Sequence, residues 1–416
     1  MALLFGIVAL LGAPLFAVIA AGALAGFHRA GIDLSVVVLE VNRIADTPVL
    51  LAIPLFTFAG TLMGEAGTSK RLVKLSRAVV GWMPGGLAVV AVTVCGAFTA
   101  LTGASGVTIV ALGALLYPAL LSEGYPERFS LGLVTSSGSL GLLFPPAIPL
   151  ILYGVIAESS IDRLFLAGIL PGLLMVFLLS LYSVHVGRRQ AVPIQNFELG
   201  ALLKALREAA WELPLPVIVL GGIYSGLFAV SEAAAVTAVY VFIAEVLLYR
   251  EVKISQIPAI VRKSMTLVGA ILVILGMSLA STNYLIDQQV PFKLFEFVRE
   301  HVSSKLTFLV LLNLFLLILG CLLDIFSAIV LVVPLVLPLA VGYGIDPVHL
   351  GIIFLANMQI GYCTPPVGMN LFIASYRFDQ PVVKLYVATL PFLLLLLATV
   401  LIITYWPALS LFLAKG

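Results

Sequence analysis

Charge is what this chain has least of. Lys, Arg, Asp and Glu make up 10% of its 416 residues, where soluble domains carry about a quarter. A water-facing surface for so long a chain needs far more ionised side chains, so a soluble globular protein is excluded. Cysteine is scarce too. Cys95, Cys321 and Cys363 lie in apolar segments at unrelated spacings, which leaves a disulfide framework or a zinc site without support. The four histidines, His28, His185, His301 and His349, fall near the ends of apolar runs, an arrangement that argues against histidine-based catalysis. There is no Walker motif, metal-ligand cluster or nucleophile constellation, so no enzyme chemistry and no ATP hydrolysis are expected of the chain. Nor is there a basic run with interleaved aromatics, and a net charge of +2 says nothing of nucleic acid. The opening MALLFGIVALLGAPLFAVIA has neither a basic start nor a clear small-residue cleavage site, and reads as a retained span and not a signal peptide.

Long uncharged runs are what the chain has instead. The stretches 129–157, 164–185 and 385–414 hold no Lys, Arg, Asp or Glu, and each meets the roughly 20 residues that cross a bilayer. Hydropathy puts spans near 3–26, 48–66, 129–157, 164–185, 213–230, 231–249, 265–285, 346–376 and 385–413. Two stretches are too long for one crossing. Residues 78–122 carry no charge, and 306–345 carry only Asp324. Each has small or polar residues at its middle, Thr102-Gly103-Ala104-Ser105-Gly106 in one and Gly320 to Ser327 in the other. Either two full crossings or a re-entrant hairpin fits this length. A tip of Gly, Ser and Thr is tolerated at depth where it is buried in protein or lines a wet cavity, and the hairpin reading is preferred.

The chain also repeats itself. An ungapped shift of 220 residues lays Pro118 on Pro338, Gly124 on Gly344, Gly141 on Gly361, Pro145-Pro146 on Pro365-Pro366 and Pro171 on Pro391. Glycine and proline fix backbone geometry, so their register weighs more than matching leucines. With the N-terminus inside and both hairpins re-entrant, the connections near 70–77, 123–128, 188–207, 250–263 and 377–384 share one face. They hold 15 of the 22 basic residues, which makes that face cytoplasmic. The fold class expected is an all-α polytopic membrane protein with inverted repeats, two re-entrant hairpins and two broken helices, arranged as scaffold and transport domain. The first repeat is expected over 1–190 (hairpin about 85–121, broken span 129–157), with a linker and linking span over 191–230. The second is expected over 231–416 (hairpin about 306–341, broken span 346–376). An amphipathic segment precedes each hairpin, SKRLVKLSRAVVGW at 69–82 and PFKLFEFVREHVSS at 291–304, suited to lie along the membrane surface and brace a moving domain.

The breaks are where chemistry is expected. Thr135 to Gly141 followed by Pro145-Pro146 cannot continue as regular helix, nor can Asn357 to Gly361 followed by Thr364-Pro365-Pro366-Val367-Gly368. Unwound turns free carbonyl oxygens suited to Na⁺, with candidates at Gly103, Gly138, Gly141, Gly320, Gly361, Thr364 and Gly368. Half-helix N-termini offer N–H groups and a positive dipole end to an anionic substrate. Neither hairpin nor broken span has Lys or Arg at its centre, so a bound carboxylate would rest on helix ends and on Thr102, Ser105, Ser137, Ser139 and Asn357. Asp324 is either a substrate or ion ligand or the N-cap of the returning helix in Asp-x-x-Ser. Glu232, at the head of SEAAAV, is either a substrate or proton site or, the preferred reading beside Ser231, a helix-start residue.

At these residues the chain resembles the large membrane subunit, the dicarboxylate-type large permease, of tripartite ATP-independent periplasmic (TRAP) transporters. The strings that carry the likeness are IPLFTFAGTLM (53–63), GSLGLLFPPAIPLILYGV (138–155), SEAAAV (231–236), CTPPVGMNLFIAS (363–375) and ITYWPALS (403–410). They run in order over essentially the whole chain. The first tip departs from the family's Ser-Gly-Ser-Ser-like run, reading Thr102-Gly103-Ala104-Ser105, which leaves fewer hydroxyls for substrate or Na⁺. The resemblance implies an elevator-type, Na⁺-driven importer of a small organic acid in the bacterial inner membrane. It implies two partners, a small four-span membrane subunit on a second chain and a soluble periplasmic substrate-binding protein. The competing expectation is a stand-alone Na⁺- or proton-coupled carboxylate or anion symporter. A channel has no need of paired hairpins in inverted repeats.

Overall fold

Inside a bilayer an unpaired backbone group is costly, so an apolar chain must pair its amides within helices or a closed barrel. This chain takes the helical course. A computed structural model describes residues 15–192 and 196–415, and among them there is no strand. Eight of their helices are long and apolar enough to cross a membrane, or nine if one bent pair counts as a span. The part of the first expected span before residue 15 lies outside the described residues.

The first half runs through α1 (Leu15–Arg29), α2 (Ser35–Ala45), α3 (Ala52–Glu65) and the amphipathic α4 (Thr68–Val80). Next come the helices α5 (Gly86–Thr102) and α6 (Ser105–Ser122), α7 (Glu127–Ser137), α8 (Ile148–Ile156) and the long α9 (Ile161–Arg189). A connecting region holds α10 (Leu199–Glu208) and α11 (Pro214–Tyr224). The second half comprises α12 (Val230–Phe242), α13 (Ile257–Asp287), α14 (Val290–His301), α15 (Lys305–Leu322), α16 (Ile325–Gly342), α17 (Pro347–Gly361), α18 (Met369–Phe378), α19 (Val382–Tyr405) and α20 (Pro407–Leu411).

The two long stretches turn back on themselves. Gly103 supplies the left-handed turn of the first, at φ +67°, and its N–H donates to Thr99 O at 2.7 Å. Inside that turn Thr99 and Thr108 join hydroxyls at 2.6 Å. The second turns at Leu323-Asp324, and its open ends meet. Lys305 Nζ donates to Gly344 O at 2.9 Å, and the Phe308 and Tyr343 rings stack at 4.4 Å. Both stretches are therefore antiparallel helical hairpins with two-residue tips.

The element pattern recurs along the chain. Helices begin at 86, 105, 127, 148 and 161 in the first half and at 305, 325, 347, 369 and 382 in the second, an offset of 219 to 221. The packing recurs with it. A Cβ on Gly141 would lie 2.2 Å from Ala100 N, and one on Gly361 would lie 2.5 Å from Gly320 Cα. In each half the break thus presses on the same turn of its hairpin, too closely for any side chain. The halves also exchange partners, since α6 packs on α18 and α16 on α8. Ser139 Oγ donates to Gln359 O at 3.2 Å, a contact between positions 220 apart.

Around this centre stands a second group, in which α13 packs on α1, α2 and α3, and α3 on α12. It touches the hairpins through α3 and α13. A Cβ on Gly60 would lie 2.6 Å from Leu101 O, and Ser278 Oγ donates to Val330 O at 2.8 Å. The linking segment is helical for the 11 residues of α11, about 16 Å at 1.5 Å per residue. That is shorter than the crossing hydropathy indicates over 213–230, because Ser225 and Gly226 (φ +74°) end the helix.

Candidate functional site

The broken spans bring the chemistry together. In the first, α7 ends at Ser137, a 3₁₀ turn covers Leu140–Leu143, and α8 resumes after Pro145-Pro146 at a bend of 45°. In the second, α17 ends at Gly361 and α18 begins at Met369. The connection between them and the first turn of α18 together touch both hairpin tips. Asn370 Oδ1 accepts from Ser105 Oγ at 2.8 Å at the first tip. At the second, Gly368 N–H donates to Cys321 O at 3.0 Å, and the Tyr362 hydroxyl accepts from Ile325 N–H at 2.6 Å. Asn370 also reaches the first break, donating from Nδ2 to Thr135 O at 3.5 Å.

The tips differ in how their returning helices are finished. Asp324 caps α16. Its Oδ1 accepts from Phe326 and Ser327 N–H, each at 3.0 Å, and its Oδ2 takes the Ser327 hydroxyl. With Tyr362 on Ile325 N–H, the N-terminus of α16 is saturated by the protein's own oxygens. At α6 the N-cap is Ala104, which has no side-chain acceptor, so the first-turn N–H groups of that helix have no cap. Beside it, Thr102 is 4% exposed and its hydroxyl has no partner. A buried hydroxyl left so is costly, and a ligand oxygen would satisfy it.

The other sequence candidates are distributed around these breaks. Ser137 is fully buried with an unpartnered hydroxyl, as is its neighbour Ser136. Ser139 is engaged with Gln359. Asn357, which is 220 positions from Ser137, faces away from the tips. Its Nδ2 donates to Asn313 Oδ1 at 2.7 Å, and that oxygen also accepts from Thr404 at 3.2 Å. Among the candidate carbonyls, Gly138 O already accepts from Thr99 Oγ1 at 2.8 Å, Gly141 O from Phe144 N–H at 3.0 Å and Gly361 O from Thr364 N–H at 2.9 Å. Each carbonyl has a second lone pair. Gly103 forms the first tip, Gly320 packs under Gly361, and Thr364 and Gly368 lie in the second break. Apart from the buried thiols of Cys321 and Cys363, the candidate ligands are oxygens, the ligand chemistry of a hard cation. Outside the site, Glu232 accepts from Ala229 N–H at 2.9 Å at the start of α12.

Sequence reasoning missed Asn370 and Tyr362. Both flank the second break, so the available signal was a polar side chain next to unwound backbone. Thr99 was missed as well, because a threonine in mid-helix carries no such mark.

Known proteins resemble this arrangement. A family model described as "Tripartite ATP-independent periplasmic transporter, DctM component" matches residues 1–409. The C4-dicarboxylate TRAP transporter large permease protein of Pseudomonas aeruginosa is 39% identical over 363 residues, covering 87% of this chain and 85% of that protein. The isethionate TRAP transporter permease protein of Oleidesulfovibrio alaskensis is 36% identical over 420 residues, covering 99% of this chain and 66% of that one. Among solved structures, the Alcanivorax borkumensis YdaH transporter matches with a TM-score of 0.64 at 15% identity, covering 89% of this chain and 87% of that one. That likeness is one of fold.

Proposed function

This chain belongs to the DctM-component family of tripartite ATP-independent periplasmic transporters, and from that membership we propose that it is the transmembrane large subunit of a Na⁺-coupled importer. It sits in the bacterial inner membrane with a small four-span subunit and receives a small organic acid from a periplasmic binding protein. The observation that carries this reading is the meeting of both hairpin tips at 362–370, beside the uncapped α6 and the orphaned Thr102 hydroxyl. An anionic group of the substrate is held at the first tip by the α6 N–H groups and the Thr102 hydroxyl, where no Lys or Arg competes for it. Na⁺ takes carbonyl and hydroxyl oxygens of the breaks and offsets the substrate's charge. Relatives named for a C4-dicarboxylate and for isethionate support a small organic anion as the cargo class.

The recurring halves support alternating access of the kind inverted repeats provide. In this reading the hairpins and broken spans move as one body against α1, α2, α3, α12 and α13. The test is uptake into proteoliposomes holding this chain and its small subunit, with and without the binding protein. Uptake is expected only with the binding protein and a Na⁺ gradient. Equal uptake without the binding protein would identify a stand-alone symporter instead.

A further inference from the structure

The two amphipathic helices that precede the hairpins occupy equivalent places in the chain, yet they are held very differently. On α4, Arg71 is 6% exposed. Its Nε meets Glu212, its Nη2 lies 2.9 Å from both Glu245 oxygens, and its Nη1 lies 2.6 Å from Glu251. The guanidinium also lies over the Tyr249 ring at 3.8 Å, and the Tyr249 hydroxyl donates to Glu212 at 2.8 Å. One residue back along the chain from this arm, Gly67 N–H donates to Glu251 at 2.6 Å, and Thr68 on α4 itself donates to Glu245 at 2.7 Å. Glu245 is 1% exposed and stands on a π-helical turn, Ile243–Leu248, that continues α12. Such turns recur at functional positions in helices. Arg71 is thus fastened to the outer helices and their connections through Nε and Nη2, with Glu251 beside Nη1. Arg fits such a site because its planar fork serves several carboxylates at once.

On α14 nothing comparable exists. Counting from each helix start, Lys293 takes the place of Arg71, and its Nζ donates only locally, to Gln288 O at 3.1 Å. No residue of α14 is buried. Its contacts run to the second hairpin and to α13, which leads into it. Phe295 presses on Gly342, where a Cβ would lie 2.3 Å from the ring, and meets Tyr343 edge-on at 6.2 Å. The Tyr343 hydroxyl donates to Val302 O just past the helix, at 2.5 Å.

We propose that Arg71 is a positioning residue that clamps α4 to the stationary helices, whereas α14 travels with the moving hairpin, so that the two arms pivot at opposite ends. This rests on the moving-body reading given above. The pivot of the first half then lies after its arm, at Gly81–Gly86, where Gly85 takes φ +77°. The pivot of the second half lies before its arm, at Gln288-Gln289, where Gln289 takes φ +54°. α4 does meet its own hairpin, packing on α5 and joining the end of α6 through an ion pair of Arg77 with Glu123 at 2.5 Å. That pair sits beside the pivot, with the Arg77 side chain 42% and the Glu123 side chain 18% exposed.

Three paired-cysteine variants test the assignment, each closed with a short bifunctional thiol reagent in the full chain with its small subunit and binding protein. Thr68→Cys with Glu245→Cys tethers α4 to α12. Phe295→Cys with Tyr343→Cys tethers α14 to α16. Ser278→Cys with Val330→Cys tethers α13 to α16. Arg71→Met is expected to slow uptake about tenfold or more without changing the KM for loaded binding protein, because a conformational step limits turnover. Closing the 68–245 tether in that same variant is expected to restore uptake, which a merely misfolded protein would not do. Closing 295–343 leaves uptake intact, and closing 278–330 stops it. Loss of uptake on closing 68–245 or 295–343 overturns the arm assignment, as does wild-type uptake by Arg71→Met. Unchanged uptake with 278–330 closed overturns instead the moving-body reading on which the assignment rests.

Discussion

At the scale of single residues, the site is defined by which polar groups the protein satisfies itself. Asp324 is satisfied, with both oxygens spent on the first turn of α16. Asp324→Asn keeps the acceptor that serves two N–H groups, so folded yield and uptake are expected to stay within about twofold of wild type. Asp324→Ala removes the cap and costs about 1 kcal/mol, read as a lowered melting midpoint in detergent. A collapse of uptake in Asp324→Asn, with melting unchanged, would make the carboxylate a ligand. Thr102 is the opposite case. Thr102→Val deletes a buried hydroxyl that no protein group uses, so melting is expected to hold or rise. Loss of a hydrogen bond to a charged ligand group costs about 1.5–3 kcal/mol, and the substrate KM is expected to rise by about tenfold or more. An unchanged KM would remove Thr102 from the site. The sequence pointed to Thr102 and Ser105 because hydroxyls stood at an uncharged tip. It could not reveal that Ser105 finds Asn370, a partner 265 positions away.

At the scale of elements, glycines decide how closely the broken spans approach the hairpins. Gly141→Ala and Gly361→Ala would each drive a methyl into backbone at 2.2 and 2.5 Å, where no side-chain rotation relieves the clash. Each is expected to cost about 3 kcal/mol or more, measured as folded yield and melting midpoint. Gly200→Ala and Gly269→Ala, on α10 and α13 with nothing within 4 Å of the new carbon, are expected to be neutral or stabilising. Comparable losses at all four positions would mean that the break-to-hairpin approach is not what fixes these elements. Hairpins, breaks and amphipathic arms were legible in the sequence, since each follows from local composition. The shortness of α11 was not, because its apolar run continues through 230 while Ser225 and Gly226 end the helix first.

At the scale of the whole molecule, the expected driving force is electrical as well as chemical. If Na⁺ entry outweighs the charge of the organic anion, each net positive charge moved across 100 mV contributes about 2.3 kcal/mol. Uptake is then expected to rise when a valinomycin-clamped K⁺ gradient makes the vesicle interior negative, and to vanish when K⁺ replaces Na⁺. Equal uptake in K⁺ medium with a proton gradient would overturn Na⁺ coupling. The sequence by itself determined that the chain is a helical membrane protein, where its helices break, and that a 220-residue pattern recurs. Hydrophobic run length, charge, proline and glycine act locally or by simple register, and a linear reading captures them. The tertiary structure alone decided which tip is left open, which tip is closed by its own Asp324, and that the second break bridges both. It also decided that Arg71 and Lys293, alike as basic residues on amphipathic arms, are held so differently. Those outcomes depend on carboxylates, hydroxyls and amides brought together from distant parts of the chain, and no spacing along one strand of sequence encodes that encounter.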